Sequence, residues 1–450
     1  MRPPSARPAP QLWPLLWPLF LELALGMAVG LVATALAARV SDAAAGAFAL
    51  AQQLNATVFI VFRIVGAGMG VVITQALGQG ASGSAERLAR AALGASTWIG
   101  LACAVVIWAG ADPLLHALQA PAELLPLAVP LLQWLAPAML LDAWNASMGS
   151  VMRAHLRSRD TLMVLVAQNA LQLGLALAWM PGFGLVGFAW AVIASRLLAL
   201  GLHALLWTMR LGLKPRPSDW LRWQRAEVAA MLHIGLPGAA ENIAWRLAFM
   251  VSMGVVATLG SAALAAHAYT SQVMHFILLA GLAIGLSMEI LIGHLIGAGR
   301  LREANRLLRR ALAWGLASSV VVSGLAALAG PWLMRQFTQD AAIVAQCVTL
   351  LWLTVLLEPG RTFNLVVINA LRAAGDARYP VAVGAVSMAV VLAGGSWWFG
   401  LHLGWGLAGV WMAYALDEWL RGLLMWRRWA TLAWLPKARA ARRRVRRLED

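Results

Sequence analysis

Long apolar runs, separated by short segments that contain arginine or turn-forming residues, dominate this sequence. A helix needs about 20 apolar residues to cross a hydrocarbon core about 30 Å thick. We predict twelve such helices, at 12–38, 46–77, 91–111, 124–152, 161–180, 184–210, 228–259, 264–297, 304–333, 343–371, 379–400 and 404–430. Apolar residues make up 61% of the 450 residues and charged residues only 12%, a composition that excludes an ordinary water-soluble fold. The predicted class is an all-α polytopic membrane protein.

The positions of the basic residues predict the orientation. Place the N-terminus in the cytoplasm. Then, outside the predicted helices, only Arg39 and Arg335 of the 35 Lys and Arg residues fall on the external side. Four arginines lie within predicted helices and away from their cytoplasmic ends: Arg63, Arg196, Arg246 and Arg361. We therefore predict a multi-pass protein of the bacterial inner membrane with both termini in the cytoplasm. The net charge of +16 reflects this bias, and we expect no nucleic-acid partner.

The two halves of the chain repeat each other without a gap over most of their length. Glu22 matches Glu241, and Arg153 matches Arg372 at the same shift. GLVGFAWA at 184–191 also matches GLAGVWMA at 406–413. Each half has six predicted helices, an even number, so the halves are parallel and related by a pseudo-twofold axis along the membrane normal. We predict an N-lobe at 1–210, a cytoplasmic linker at 211–227, a C-lobe at 228–436 and a basic cytoplasmic tail at 437–450.

Four motifs in the second half carry a resemblance to a known family. They are IGLPGAAE at 234–241, LGSAALAAHAYTSQV at 259–273, IGHLIGAGRLREA at 292–304 and NALRAAGDARYP at 369–380. With the twelve helices and the repeat, the chain resembles multidrug and toxic compound extrusion (MATE) transporters. The resemblance implies two bundles of six helices that export small organic, often cationic, compounds in exchange for H⁺ or Na⁺ by alternating access. We expect a monomer whose partners are the small-molecule substrate and membrane lipids.

The acids of the best-known cation-coupled MATE proteins align with Ala33, Trp245 and Arg361, none of which is acidic here. Any H⁺ or Na⁺ coupling must therefore use other carboxylates, or the protein belongs to a different branch of the family. A charge in mid-membrane costs about 2.5–3.5 kcal/mol and usually faces a cavity or a partner. Glu241 lies four residues after a proline and precedes Asn242, and Glu22 has the same relation to its own proline. Each is a candidate coupling carboxylate or a buried structural one.

A second set of polar residues lies in the tenth helix and its repeat mate. Glu358, Arg361 and Asn364 share one helix face, as a cation-sensitive switch or as a closed ion pair. Asp142 and Asn145 match Arg361 and Asn364, so an Asp142–Arg361 pair between the lobes is a hypothesis. Glu358 and Asn242 are therefore further candidates for cation coupling. Candidates for the substrate cavity between the lobes are Asp142, Arg361, Asn145, Asn364 and Glu289.

Near the inner end of the last helix, Asp417 and Glu418 precede Arg421 by four and three residues, which predicts a surface-level helix pair. The arginine-rich tail either fixes the orientation of the protein in the membrane or binds anionic lipid.

The sequence has no GxxxxGK[ST], HExxH or CxxC motif, and its two cysteines lie in apolar segments. We therefore expect no enzyme activity, no metal site and no cofactor beyond H⁺ or Na⁺ as the coupling ion. A lipid-linked precursor flippase or an endogenous-metabolite exporter of the same superfamily is the main alternative function. A membrane receptor or scaffold that transports nothing is a third.

Overall fold

A computed structural model describes residues 11–447, which are helical with no β-strand in this range. The predicted lobe and tail boundaries that involve residues 1–10 and 448–450, and the side chain of Arg63, lie outside the described part. The first half contains α1 (Trp13–Val40), α2 (Asp42–Gln79), α3 (Ser82–Ala117), α4 (Leu125–Ala154) and α5 (Ser158–Leu206), which continues into a π-helical turn at Trp207–Leu211.

The second half begins after a short 3₁₀ helix at Pro217–Trp220. Its helices are α6 (Arg225–Thr258), α7 (Ser261–Gly297), α8 (Leu301–Leu328), α9 (Gly330–Arg335), α10 (Ala341–Ala373), α11 (Arg378–Ser387), α12 (Gly395–Trp397), α13 (Gly406–Ala430) and α14 (Leu435–Arg447). The π-helical turns Met388–Gly394 and Trp398–His402 join α11 and α12 into one long segment.

The described helices confirm the predicted class and the count of twelve. By length and composition, eight helical segments are able to cross a membrane, and one of them, Ser158–Leu211, is bent at Gly184 into two segments. The long helices α2, α6 and α13 complete the set.

The repeated GLxG motif explains the bend and its counterpart in the second half. Gly184 and Gly406 both have left-handed backbone conformations, with φ of 56° and 58°. Glycine adopts these at no steric cost. Three residues later, a Cβ on Gly187 would lie 2.7 Å from the Trp179 carbonyl oxygen, and one on Gly409 would lie 2.5 Å from that of Phe399. The first glycine therefore turns the chain, and the second lets the next helix approach the backbone of the preceding one.

The chain forms two compact units. Of the described residues, the C-unit comprises 11–20, Gly78–Gly80 and Ala240–Arg444, and the N-unit comprises Leu21–Leu77, Ala81–Ala239 and 445–447. The unit boundaries fall inside α1 and α6. The predicted lobe boundaries at 210 and 228 stay a prediction.

Each unit has its own apolar core. In the N-unit, alanines and leucines of α2, α4 and α5 pack together, with an edge-to-face contact of Phe48 and Phe188 at 5.0 Å between ring centroids. In the C-unit, α10 lies centrally and packs against α7, α8 and α13. This central position of α10 brings its polar face against α13.

The segment between the two repeats packs on α3 within the N-unit. Arg90 binds Asp219 at 3.2 Å, and the Trp98 indole donates to the Leu221 carbonyl at 2.9 Å. Gly94 leaves room for this approach, because a Cβ there would collide with the Arg222 carbonyl oxygen. The linker is thus a fixed part of the N-unit.

Candidate functional site

The two predicted coupling carboxylates form equivalent ion pairs in the two units. In the N-unit, the Glu22 carboxylate of α1 binds the Arg153 guanidinium of α4 at 3.2 Å. In the C-unit, Glu241 of α6 binds Arg372 of α10 at 2.6 Å. Both pairs join residues 131 positions apart in sequence. The structure therefore repeats the ion pair as well as the residues.

The sequence reasoning matched all four of these residues between the halves but missed that they pair. The sequence does contain a pattern that could have predicted the pairing, because the spacing from the acid to the base is the same in each half. The environments differ in one respect, since the Thr161 hydroxyl also donates to Glu22 at 2.5 Å. Pro380 occupies the matching position in the C-unit and cannot supply this hydroxyl.

A second pair is repeated with its charges exchanged. In the N-unit, Asp142 of α4 binds Arg196 of α5 at 3.0 Å. In the C-unit, the matching positions hold Arg361 of α10 and Glu418 of α13, 3.5 Å apart. The acid and the base have thus changed places while the two helix positions remain paired.

The asparagines next to this pair are repeated as well. The Asn145 amide donates to the Arg196 carbonyl at 3.0 Å, and the Asn364 amide donates to the Glu418 carboxylate at 2.9 Å. Because Asp142 and Arg361 each have a partner in their own unit, neither charge depends on the other. The hypothesis of a pair between the lobes stays a prediction.

The prediction of a surface-level pair at Asp417, Glu418 and Arg421 is wrong. Asp417 is fully buried, and Glu418 and Arg421 are only 6% and 4% exposed. The physical reason is that α13 packs against both α10 and α11, so this face of α13 points into the C-unit. Position along the helix alone did not reveal which face is covered.

These residues join the polar face of α10 in one buried network. Arg421 binds both Asp417 and Glu418 at 2.8 Å, and Ser387 donates to Asp417 at 2.6 Å. Glu358, also buried, accepts from Arg361 at 2.8 Å through Oε1. Its other carboxylate oxygen, Oε2, has no hydrogen-bond partner in the described part of the chain.

The network extends to the Glu241–Arg372 pair at Gly384. A Cβ at Gly384 would lie 3.8 Å from Cγ of Glu241 and 3.9 Å from Cδ of Arg421, so the two side chains flank this glycine. Glu289 of α7 is buried and lies in the electrostatic field of Arg372. Asn242 follows Glu241 in α6 and is half-buried.

The two units differ in their balance of buried charge. The described C-unit network holds five acids, Glu241, Glu289, Glu358, Asp417 and Glu418, against three bases, Arg361, Arg372 and Arg421. The two N-unit pairs hold equal numbers of acids and bases. An excess of carboxylates away from water is costly unless some of them bind a proton or a metal cation. The described C-unit network thus has two more acids than bases, five against three.

Comparisons with known proteins agree with this architecture. The MatE family matches residues 18–180 and 237–398. The Bacillus subtilis protein "Uncharacterized transporter YisQ" is 32% identical over 413 residues, covering 90% of this chain and 91% of its own. "Probable multidrug resistance protein NorM" of Rhodopseudomonas palustris is 27% identical over 418 residues, covering 87% and 85%.

Solved structures show the same fold. The crystal structure of the Vibrio cholerae MATE transporter VcmN in the bent form has a TM-score of 0.86 at 20% identity, covering 96% of this chain and 97% of its own. A Pyrococcus furiosus transporter of the MOP superfamily has a TM-score of 0.84 at 16% identity, covering 98% and 96%.

Proposed function

Because this chain belongs to the MatE family of transporters, we propose that it exports small organic compounds in exchange for H⁺ or Na⁺. The chain is a multi-pass membrane protein. We further propose the bacterial inner membrane as its location, with both termini in the cytoplasm, on the strength of the arginine distribution. Alternating access is the proposed mechanism.

The excess of buried carboxylates in the C-unit is the observation that carries the coupling proposal. Glu358 is the proposed coupling residue, because it is buried and one of its oxygens has no hydrogen-bond partner among the residues that the structure describes. An unpaired carboxylate oxygen in a membrane interior is costly, and a proton or Na⁺ at that oxygen removes the cost. The Oδ1 atom of Asn364, on the same helix, is likewise buried and has no hydrogen-bond partner among the described residues, so we propose it as a second oxygen ligand.

Arg361 supplies a physical basis for a switch. It lies between two acids, at 2.8 Å from Glu358 and 3.5 Å from Glu418. When Glu358 binds a proton, its attraction for Arg361 falls and the guanidinium is drawn toward Glu418. Export then requires that the coupling cation and the substrate favour different conformations, since equal preference would shift no population.

The decisive experiment compares, in liposomes, a variant of the whole protein substituted in the C-unit with one substituted in the N-unit. Purified protein would be reconstituted and presented with a fluorescent organic cation under a H⁺ gradient and, separately, a Na⁺ gradient. We expect gradient-driven flux that is lost in Glu358→Gln and retained in Glu22→Gln, whose N-unit pair is charge-balanced. Glu123→Gln, which alters an exposed residue in the turn before α4, is the control for reconstitution.

Each outcome bears on a separate part of the proposal. Flux retained in Glu358→Gln and lost in Glu22→Gln would refute coupling in the C-unit and move it to the N-unit. No flux of any organic cation tested under either gradient would contradict the exporter and favour the lipid-linked precursor flippase.

A further inference from the structure

Helix α14 is attached to the C-unit by one buried stripe. It follows α13 after a four-residue turn at 431–434. Trp434, Ala438 and Ala441 are 1%, 2% and 8% exposed. The Trp434 ring stacks on Trp429 at 4.4 Å between centroids, and its indole donates to the Trp429 carbonyl at 3.0 Å. The helix is therefore packed on the protein along one face.

The buried stripe covers the turns that end α7 and α10. A Cβ at Gly375 would lie 3.1 Å from Cβ of Ala441, and a Cβ at Gly299 would lie 3.0 Å from the Arg442 guanidinium. Both glycines have left-handed φ angles, 83° and 74°. The carbonyl end of a helix carries partial negative charge, which favours a nearby cation such as Arg442. Shape and charge both fit α14 to these two turns.

The repeat provides an internal comparison. In the first half of the chain, the turns that match Gly299 and Gly375 contain Gly80 and Leu156. A Cβ at Gly80 would meet none of the described atoms within 4 Å, and Leu156 is 42% exposed. These turns are thus open to solvent. A bulky side chain is present at Leu156, where the matching position in the C-unit holds a glycine under α14.

The other face of α14 is cationic. Lys437, Arg439 and Arg443 are exposed, and no acid occurs between residues 435 and 447. Arg444 lies near Arg378, and its burial together with this like charge lowers its pKa. The docked helix therefore presents more positive charge than its own neighbourhood neutralises.

We propose that the exposed cationic face of α14 binds the phosphate groups of anionic phospholipids in the surrounding membrane. Only four residues separate α14 from the membrane-spanning α13, so the helix lies within reach of the headgroups. Anionic headgroups are complementary to a face with no acid, and each cation contributes about five-fold in affinity. An acidic protein or RNA lacks this enforced proximity.

The test measures binding of fluorescent phosphatidylglycerol to the full-length protein in detergent micelles by anisotropy. Arg439→Gln/Arg443→Gln should weaken binding about 30-fold, and high salt should weaken it in the unmodified protein. Arg439→Lys/Arg443→Lys should bind like the unmodified protein, because the charge is kept. Lys214→Gln/Arg302→Gln removes two exposed cations elsewhere and is the matched control.

Three results would overturn the proposal. One is equal weakening in the α14 variant and in the matched control, which would indicate a general effect of net charge. Another is equally tight binding of fluorescent phosphatidylcholine, which has no net charge. The third is displacement of the lipid by inorganic phosphate at matched concentration, which would assign the face to a soluble phosphate.

Discussion

Exchanging the charges of the Asp142–Arg196 pair tests whether the two units are built on the same plan. The C-unit already holds a base at the position matching Asp142 and an acid at the position matching Arg196. We predict that Asp142→Arg/Arg196→Glu is folded and close to the original stability, whereas each single substitution is strongly destabilised. The side-chain amide of Gln172, which contacts Arg196, can donate as well as accept and so suits either charge.

The expected magnitude follows from burial. The side chains of Asp142 and Arg196 are 21% and 18% exposed. Removing one partner of a fully buried pair costs about 3–5 kcal/mol, and a surface pair is worth about 0–1 kcal/mol. Because this pair is mostly buried, each single substitution should cost about 3 kcal/mol or more. The double substitution should recover at least about 2 kcal/mol of that loss, since the charges are again paired.

The assay is the thermal midpoint of the detergent-solubilised full chain, followed by size-exclusion chromatography after heating. Each single variant should lower the midpoint by on the order of 5 °C, and the double variant should return most of it. Exchanging the half-exposed Arg300–Glu303 pair is the control and should change the midpoint little. A double variant no more stable than either single one would refute the claim that these positions are equivalent.

Three further predictions concern substitutions to or from glycine. Leu156 has a φ of 62°, a conformation that costs a non-glycine residue about 1 kcal/mol, so Leu156→Gly should raise the thermal midpoint. Gly375→Leu, the reverse change at the position that matches Leu156, should lower the midpoint because the new side chain collides with Ala441. Changes in the midpoint of equal size at the two positions would contradict the docking of α14. Gly94→Ala should displace the linker at the Arg222 carbonyl and speed its proteolysis, and an unchanged cleavage rate would refute that packing.

Several features of the protein follow from sequence because they depend on local composition. Apolar run length predicted the twelve helices, since each must span the bilayer by itself. Arginine placement predicted an orientation, which stays a prediction. Repeated polar positions identified Glu22 and Glu241, which are the acids of the two equivalent ion pairs.

The partners of those residues were decided by tertiary structure. Hydropathy indicates that a helix spans the membrane but not which of its faces meets a neighbour, because every face of such a helix is largely apolar. The position of Arg421 near a helix end predicted exposure, and only the packing of α13 on α10 and α11 shows that it is buried.

By itself, the sequence determined the helical class, the number of spans, the repeat and the charged residues within the membrane. The tertiary structure alone decided that Asp142 pairs with Arg196 and that α14 covers the turn at Gly375. It also decided that, within the described part of the chain, one oxygen of Glu358 has no hydrogen-bond partner. The physical reason is how far apart in the chain the interacting residues are. Membrane insertion acts on each segment separately, whereas ion pairing and close packing depend on the relative rotation of helices far apart in the chain.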